Sequence, residues 1–144
     1  MKSFGIMLSL LMLSSSYVMA QQSDKSAVKQ AVINFAKGGD DRNVSLLESV
    51  LHKDYRTVLH RAFGGDKTAI LDKSTYITMV KNEKIGGIPR KVKVKAIQIA
   101  GNVATAKAIM ESDKLKFISF YSLVKTPTGQ WQLVGDVPHV EKKS

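Results

Sequence analysis

The chain has 144 residues, a formal net charge of +10 and no cysteine. A chain of this length can bury a sizeable core as one domain, so it needs neither a disulfide nor a metal for stability. The lack of cysteine excludes disulfide bonds, thiolate catalysis and cysteine-based metal sites. The positive charge is consistent with anionic partners and, as the alternative, with solubility alone.

The first twenty residues have the pattern of a cleaved secretory signal. Lys2 supplies a positive start, Phe4–Val18 is an apolar run, and Val18-Met19-Ala20 offers the small residues that a signal peptidase reads. The run is shorter than the ~20 apolar residues of a membrane span. We therefore predict an exported bacterial protein, periplasmic or secreted, with a retained N-terminal helix as the alternative. Residues 21–140 would form a single domain and residues 141–144 a charged tail.

Two helices are predicted directly after the signal. Apolar residues recur at three- and four-residue spacing in Ser23–Ala36, and Gly38-Gly39 is expected to end that helix. Asn43 is a suitable N-cap for a second, shorter amphipathic helix that carries leucines. The two helices would form an antiparallel hairpin.

A short strand pair and a third helix follow. The strands are predicted over Tyr55–Ala62 and Lys67–Leu71, with a glycine-rich turn between them. Asp72 or Ser74 is expected to cap the third helix.

From Arg90 onward the apolar period is two residues, which is the period of a strand. Four strands are therefore predicted, joined by turns at Ala100–Val103, Ser112–Lys114 and Thr126–Gly129. Because Leu115–Lys125 is apolar on both faces, we expect it to be a central strand covered on both sides. In the last strand, Trp131, Leu133 and Val137 alternate and are expected to share one face. This order of elements predicts an α+β domain with helices on one face of a curved antiparallel sheet.

Several segments together carry a family resemblance. Asn34–Asp41 ends a helix in a Gly-Asp turn, Val44–Leu51 is a short leucine-rich helix, and His52–Tyr55 places an acidic residue where the first strand opens. With the closing segment Gly129–Val134, this pattern resembles the nuclear-transport-factor-2-like superfamily over Ser23–Val137. Among its members, the chain is most similar to the small bacterial proteins described as putative lumazine-binding.

The resemblance implies a cone-shaped, curved antiparallel sheet with three helices of the N-terminal half packed on its concave face. It also implies a pocket between the helices and the sheet, and often a homodimer packed through the open side of the sheet. The superfamily includes isomerases, cyclases, dehydratases and non-catalytic binding domains, so it implies a pocket without a particular chemistry.

The ketosteroid isomerases of this superfamily provide a test for catalysis. By an ungapped count, the resemblance places their base at Leu59, which cannot take a proton, and their tyrosine donor near Asn34 or Phe35, which have no phenol. Their second carboxyl, on a central strand, falls near Phe120 and Tyr121. We therefore expect the pocket to lack the acid–base groups of an isomerase.

His60 is the candidate acid–base residue, since histidine titrates near neutrality. It is next to Leu59 in a strand and should point to the opposite face. The alternative is a half-exposed strand histidine between Arg56 and Arg61, since no carboxylate is identified to orient it. The three histidines lack the spacing of a metal site, and the glycine pairs do not match a phosphate loop, so we expect no metal and no cofactor.

Aromatic side chains could stack on a small planar or anionic ligand, with core packing as the alternative. The candidate ligand-binding residues are Tyr55, His60, Tyr76, Tyr121 and Trp131.

A basic row is predicted on one strand of the sheet. Lys91, Lys93 and Lys95 share one face of it, with Lys107 on the neighbouring strand. The row could bind an anionic surface of the cell envelope, or it could be a solvated outer face that prevents edge pairing. No nucleic-acid partner is expected outside the cytoplasm.

Three hypotheses follow from the sequence. The leading one is an exported small-molecule-binding pocket protein without demonstrable catalysis. The second is an enzyme of the isomerase, cyclase or dehydratase kind that uses His60 with Tyr55 or Tyr76. The third is a cell-envelope interaction module that uses the basic sheet face.

Overall fold

A computed structural model describes residues 4–144, with side chains from residue 16 onward. Lys2 and the side chains of the apolar run up to residue 15 lie outside the described residues. Within them, no helix combines the length and the apolar character needed to cross a bilayer. The helices and strands of this part are α1 Phe4–Asp40, α2 Val44–Val50, β1 Leu51–His60, the 3-10 helix η1 Ala62–Gly64, β2 Thr68–Asp72, α3 Lys73–Lys81, β3 Lys91–Ala100, β4 Val103–Glu111, β5 Leu115–Lys125 and β6 Trp131–Lys142.

The strands form one curved, unclosed sheet in the order β2-β1-β6-β5-β4-β3, and the helices pack on its concave face. Strand β1 pairs in parallel with β6, and the other neighbouring strands of this sheet pair antiparallel. The predicted α+β class with a cone-shaped sheet is confirmed. The parallel pair is a difference from the expected antiparallel sheet, and it arises because the first strand lies beside the last.

Helix α1 differs from its prediction at both ends. It already includes Ser23, and it passes through Gly38-Gly39 to end at Asp40. A Cβ atom at Gly38 would stand 2.9 Å from the side chain of Leu47 in α2. This glycine therefore allows two helices to approach closely and does not stop the first one.

The two predicted N-caps are present in the structure. The Asn43 side chain accepts a hydrogen bond from the backbone N–H of Leu46 at 3.0 Å, at the start of α2. The Asp72 side chain accepts one from the backbone N–H of Thr75 at 2.8 Å, at the start of α3. Both bonds satisfy N–H groups that have no partner within the helix.

Helix α1 packs on the sheet where β4 carries small side chains. Ala104, Ala106 and Ala108 alternate along the inner face of β4 and are buried. Val32 and Phe35 of α1 belong to the same hydrophobic core. Small residues on the strand leave room for these larger side chains, as close packing requires.

Strand β5 lies between β6 and β4, so its predicted central position is confirmed. The expectation that both of its faces are covered is wrong within one chain. Tyr121 and Leu123 are buried on the inner face, whereas Phe120 is 53% exposed on the outer face. The helices cover only the concave side, so the apolar residues on the convex side remain open.

A β-bulge in β6 reverses the alternation of inward and outward side chains. The pairing with β5 skips Val134, which is the extra residue. Leu133 and Asp136 both point into the core although they are three positions apart, where a regular strand would require an even spacing. The prediction that Val137 shares a face with Trp131 and Leu133 is therefore wrong, and Val137 is 49% exposed.

Candidate functional site

A cavity of about 390 Å³ lies between the helices and the inner face of the sheet. Most of its lining is apolar or aromatic, as in typical small-molecule sites of 300–1,000 Å³. Buried polar side chains are rare in a domain of this size because they lose hydration. All four buried polar or charged residues in the described part of the chain line this one cavity, and they are Thr57, Ser112, Ser119 and Asp136.

Asp136 supplies the buried carboxyl of the cavity. It is 6% exposed and lies on β6, opposite Thr57 of β1 and Tyr121 of β5. Within the described residues, neither its Oδ1 atom nor the Ser119 hydroxyl oxygen has a hydrogen-bond partner of good geometry, although the Ser119 hydroxyl lies close enough to the carboxyl to lower its pKa. Polar atoms that are buried without a partner are costly, so these two are well suited to meet a polar group of a ligand.

Burial raises the pKa of Asp136 to about 7, while the nearby Ser119 hydroxyl and the positive charge of Arg90 act in the opposite direction. Desolvation has this sign because a low-dielectric surrounding disfavours the charged form of an acid. A carboxyl with such a pKa is substantially protonated near neutrality. It can therefore donate a hydrogen bond or exchange a proton with a bound molecule.

Aromatic side chains form one wall beside this carboxyl. Tyr76 of α3 lines the cavity, and its ring centroid lies 5.7 Å from that of Phe35 and 5.9 Å from that of Tyr55. Tyr121 joins the cluster at 5.7 Å from Phe35. Burial is the main reason that the pKa values of Tyr55, Tyr76 and Tyr121 are raised, so these phenols stay neutral.

An ion pair holds the end of α1 to the start of β3 at one side of the cavity. The Arg90 Nε atom donates to Asp40 Oδ1 at 2.6 Å, and the Arg90 backbone N–H donates to Asp40 Oδ2 at 2.9 Å. Arg90 Nη2 also donates to the carbonyl of Ala36 at 3.2 Å, and its guanidinium lies 5.4 Å from the centre of the Phe117 ring. These contacts fix Arg90 as part of the wall.

The loop after α3 closes another side of the cavity through two glycines. The backbone N–H of Gly87 donates to the carbonyl of Gly39 at 3.0 Å, and Arg42 Nη2 donates to the carbonyl of Gly86 at 3.2 Å. Gly86 has a φ of +75°, and a Cβ there would lie 2.3 Å from the Gly39 carbonyl oxygen. Only glycine combines this backbone conformation with such a close approach to α1.

A comparison with known protein families matches residues 23–138 of the chain to the family described as "Putative lumazine-binding". The chain belongs to this family. A search among curated proteins found no match.

Solved structures share the fold of this family member. An NTF-2-like protein of unknown function from Silicibacter pomeroyi has a TM-score of 0.73 at 14% identity, covering 84% of this chain and 98% of its own. An NTF2-like protein from Methylobacillus flagellatus gives 0.70 at 21% identity, with 83% and 93% covered. A ketosteroid isomerase-like protein from Erwinia carotovora atroseptica gives 0.65 at 14%, with 83% and 95% covered. At these identities the likeness shows the fold alone.

Of the five predicted ligand-binding residues, Tyr76 lines the cavity. Tyr55 and Tyr121 lie behind it in the aromatic cluster, and the Tyr121 hydroxyl donates to Met110 Sδ at 3.8 Å. His60 is exposed on the other face of β1, and its Nδ1 atom lies 2.7 Å from the Thr68 hydroxyl oxygen. Its neighbour Leu59 lines the cavity, as the alternation of the strand predicts.

Trp131 lies apart from the cavity lining. Its Nε1 atom donates to Asp24 Oδ1 at 3.0 Å, and Lys125 Nζ donates to the same oxygen at 2.8 Å. The hydrogen bonds from Lys125 and Trp131 lower the pKa of Asp24. This contact attaches α1 to the hairpin between β5 and β6.

The basic row lies on β3, which is an edge strand of the sheet. Lys91 and Lys93 alternate with inward-facing valines, and Lys95 lies at a β-bulge. The Lys107 ammonium on β4 lies 5.5 Å from the centre of the Phe120 ring. A role of the row in binding an anionic envelope surface stays a prediction. Across the described residues, no three His, Cys, Asp or Glu side chains are arranged to hold a metal ion.

The ungapped count placed the isomerases' second carboxyl near Phe120 and Tyr121, which are not acids, whereas the structure places the carboxyl of Asp136 at the cavity. The prediction searched β5, whereas the acid is on the neighbouring strand β6. A regular alternation from Leu133 would turn Asp136 outward, and the bulge at Val134 reverses this. Gly135 was the available signal, since glycine inside a strand pattern often marks a bulge.

Proposed function

We propose that the protein binds a small planar molecule in the cavity between its helices and its sheet. The single observation that supports this most is the gathering of every described buried polar side chain at one apolar cavity of about 390 Å³. The family description names lumazine, a planar two-ring molecule, and a ligand of that size suits this volume. Tyr76 would stack on the ligand, and Asp136 would meet its polar end.

Native mass spectrometry of residues 21–144, purified gently from the source cell, tests this proposal. A co-purifying small molecule is expected with the wild type. Leu59→Phe, which adds bulk to the cavity wall, should lose it, whereas Val58→Phe on the opposite face of β1 should retain it. A wild-type mass without ligand, together with no binding in a screen of planar compounds, would contradict the proposal.

Export is part of the same proposal. Tyr17, Val18 and Met19 are strongly exposed although they are apolar, and the core of the domain begins with Val28. Among residues 16–20, whose side chains the structure describes, removal would therefore take none from that core. Expression of the full chain in a bacterium should give a periplasmic protein whose intact mass starts at Gln21. Ala20→Leu should accumulate uncleaved, because the peptidase requires a small residue there.

A second copy of the chain is the proposed protein partner. The outer face of the sheet exposes Phe120 and Val137, which are direct neighbours on β5 and β6. Large apolar residues that are grouped on a surface commonly mark an interface. The resemblance to dimeric relatives points to the same face.

A catalytic role is the second candidate function, and the pKa of Asp136 favours it. A proton donor or acceptor works best when its pKa is near the ambient pH, and that of Asp136 is about 7. In this reading Asp136 takes the acid–base role that the sequence assigned to His60. If the recovered ligand is converted by the wild type, Asp136→Asn should stop the conversion and His60→Ala should leave it. Equal conversion by all three proteins would exclude Asp136 as the acid–base group.

A further inference from the structure

The cavity opens to solvent beside two apolar side chains. Phe63 of η1 and Ile88 of the loop after α3 both line the cavity, and each is 50% exposed. The other large apolar side chains that are exposed in residues 16–144 lie outside the cavity lining. A ligand that extends from the cavity to this rim would cover both side chains, and the burial of apolar surface favours such contact.

A lysine belongs to the same rim. Lys84 lines the cavity and is exposed, and we call Phe63, Lys84 and Ile88 the mouth of the cavity. Among the ion pairs of residues 16–144, none includes Lys84. The other basic residue of the lining is Arg90, and Asp40 binds it at 2.6 Å. Within the described residues, Lys84 is therefore the lining cation whose charge is left for a ligand.

The acidic groups near the cavity do not neutralise this lysine. Asp40 pairs with Arg90, and the Glu83 carboxylate lies 3.7 Å from Arg42 Nη1. The remaining acid of the lining is Asp136, which is buried at the inner wall. An anionic group placed at that wall would lose its hydration and face another carboxyl, so the mouth is the favoured place for it.

The end of α3 fixes the position of Lys84. The backbone N–H of Lys84 donates to the carbonyl of Met79 at 2.9 Å, and that of Glu83 donates to the carbonyl of Val80 at 3.1 Å. These are the two hydrogen bonds of a Schellman motif, which ends a helix with a residue in the left-handed conformation. Glu83 is that residue, with a φ of +59°. The backbone of Lys84 is therefore held to the helix, next to the lining residue Met79.

We propose that the mouth formed by Phe63, Lys84 and Ile88 binds the anionic end of a planar ligand whose uncharged ring lies inside the cavity. The inference rests on the proposed binding function and gives the ligand a class, an aromatic molecule with a carboxylate or another anionic group at one end. The net charge of +10 attracts such molecules. Since exposed ion pairs contribute little, Lys84 selects the charge and the orientation, and the cavity supplies most of the affinity.

Two probes of nearly equal shape provide the test, and they are 2-naphthoate and 2-naphthamide. Naphthoate is ionised at about pH 6, whereas naphthamide carries no charge. Affinities are measured by titration calorimetry at this pH in about 20 mM salt, with residues 21–144. Lys84→Met removes the ammonium and keeps an apolar stem. Lys81→Met is the matched control, because it removes the same charge from an exposed position of α3 outside the cavity lining.

Lys84→Met should weaken the binding of naphthoate about threefold, which is the scale of an exposed ion pair, and should leave the binding of naphthamide unchanged. Lys81→Met should bind both probes as the wild type does. In about 500 mM salt the wild type and Lys84→Met should bind naphthoate equally, because salt screens exposed charges. Phe63→Ala should weaken both probes by the same factor, since contact with the ring does not depend on charge.

Reversal of the charge separates a binding role of Lys84 from a structural one. In Lys84→Glu, the ratio of the affinities for 2-naphthylmethylammonium and naphthoate should rise about tenfold over the wild type, since one attraction is lost and the opposite one is gained. Damage to the fold would weaken the binding of both probes and leave their ratio unchanged.

Two results would overturn the inference while the planar-ligand function stands. One is equal affinity of Lys84→Met and Lys81→Met for naphthoate. The other is binding of naphthamide by a wild type that does not bind naphthoate. If neither probe binds, the proposed planar-ligand function fails together with the inference.

Discussion

At the scale of single residues, Asp136 links the site to the stability of the fold. Its pKa rises from 3.8 to about 7 on folding because the carboxyl loses its hydration. The unfolded chain therefore releases this proton at a lower pH than the folded chain does. Each unit of pKa difference corresponds to about 1.4 kcal/mol. The contribution of Asp136 to the free energy of unfolding is therefore lowest above pH 7, where its carboxylate is ionised inside the folded protein.

We expect Asp136→Asn to stabilise the protein increasingly as the pH rises. In the wild type, the free energy of unfolding loses up to about 1.4 kcal/mol per pH unit between about pH 4 and pH 7, or roughly 4 kcal/mol in total. Asparagine keeps the shape but cannot ionise, so the variant lacks this loss. Urea unfolding at pH 5 and pH 8 measures the difference between the two proteins.

Asp113→Asn controls for the removal of one negative charge, since Asp113 is exposed. Its effect on the free energy of unfolding should change little between the two pH values. A constant difference between Asp136→Asn and the wild type from pH 5 to pH 8 would show that Asp136 is already ionised in the folded protein.

At the scale of elements, local signals predicted most of the framework. The caps Asn43 and Asp72 are side-chain signals that act within one turn, and both occur as expected. The bounds of Leu115–Lys125 also agree with β5, because turns flank the strand on both sides. Caps and strand ends depend on residues that are close together in the sequence, so the sequence alone predicts them.

The site was harder to predict because it depends on one non-local irregularity. The bulge at Val134 is visible only in the pairing of β6 with β5, and it decides that Asp136 faces the cavity. The partnership of Thr57 with Asp136 likewise requires that the first and last strands lie side by side. The alternation of apolar residues along the sequence shows neither the bulge nor the pairing of β1 with β6. It therefore does not predict that Asp136 faces the cavity.

The glycine loop after α3 gives a prediction at this scale. Gly86→Ala should lower the free energy of unfolding by about 2–4 kcal/mol, from the strained φ and from overlap with the Gly39 carbonyl. Gly129→Ala is the matched control, because Gly129 has a similar φ of +87° and a Cβ added there would meet no atom within 4 Å. The control should cost about 1 kcal/mol from φ strain alone. Urea unfolding of both variants provides the comparison.

Equal destabilisation by the two alanine variants would mean that the loop can move away from α1. In that case the contact between Gly86 and Gly39 would not fix this side of the cavity. A larger loss at Gly86 would show that α1 and the loop form one wall.

At the scale of the whole molecule, the two open regions of the sheet differ in chemistry. The β3 edge carries Lys91, Lys93 and a bulge at Lys95. Charges and bulges on an edge strand oppose pairing with another sheet. The convex face is instead apolar around Phe120 and Val137. The dimer that we propose therefore uses the convex face around Phe120 and Val137, where the Lys107 ammonium lies 5.5 Å from the Phe120 ring, and not the β3 edge.

The dimer proposal can be tested directly by sedimentation equilibrium. We expect the wild type, residues 21–144, to be a dimer at micromolar concentration, and Phe120→Ser with Val137→Ser to be a monomer. In a two-fold dimer both chains use the same patch, so each substitution removes an apolar side chain from both sides of the interface.

Ile70→Ser is the control variant. It removes an exposed apolar side chain from β2, the edge strand at the other end of the sheet from β3, and should leave the dimer intact. Because Phe120 and Val137 point away from the cavity, the double variant should still retain the co-purifying small molecule as the wild type does. A monomeric wild type, or a double variant that stays dimeric, would remove the convex face as the interface. Loss of the co-purifying small molecule together with the dimer would instead show that the cavity needs the second copy to keep its shape.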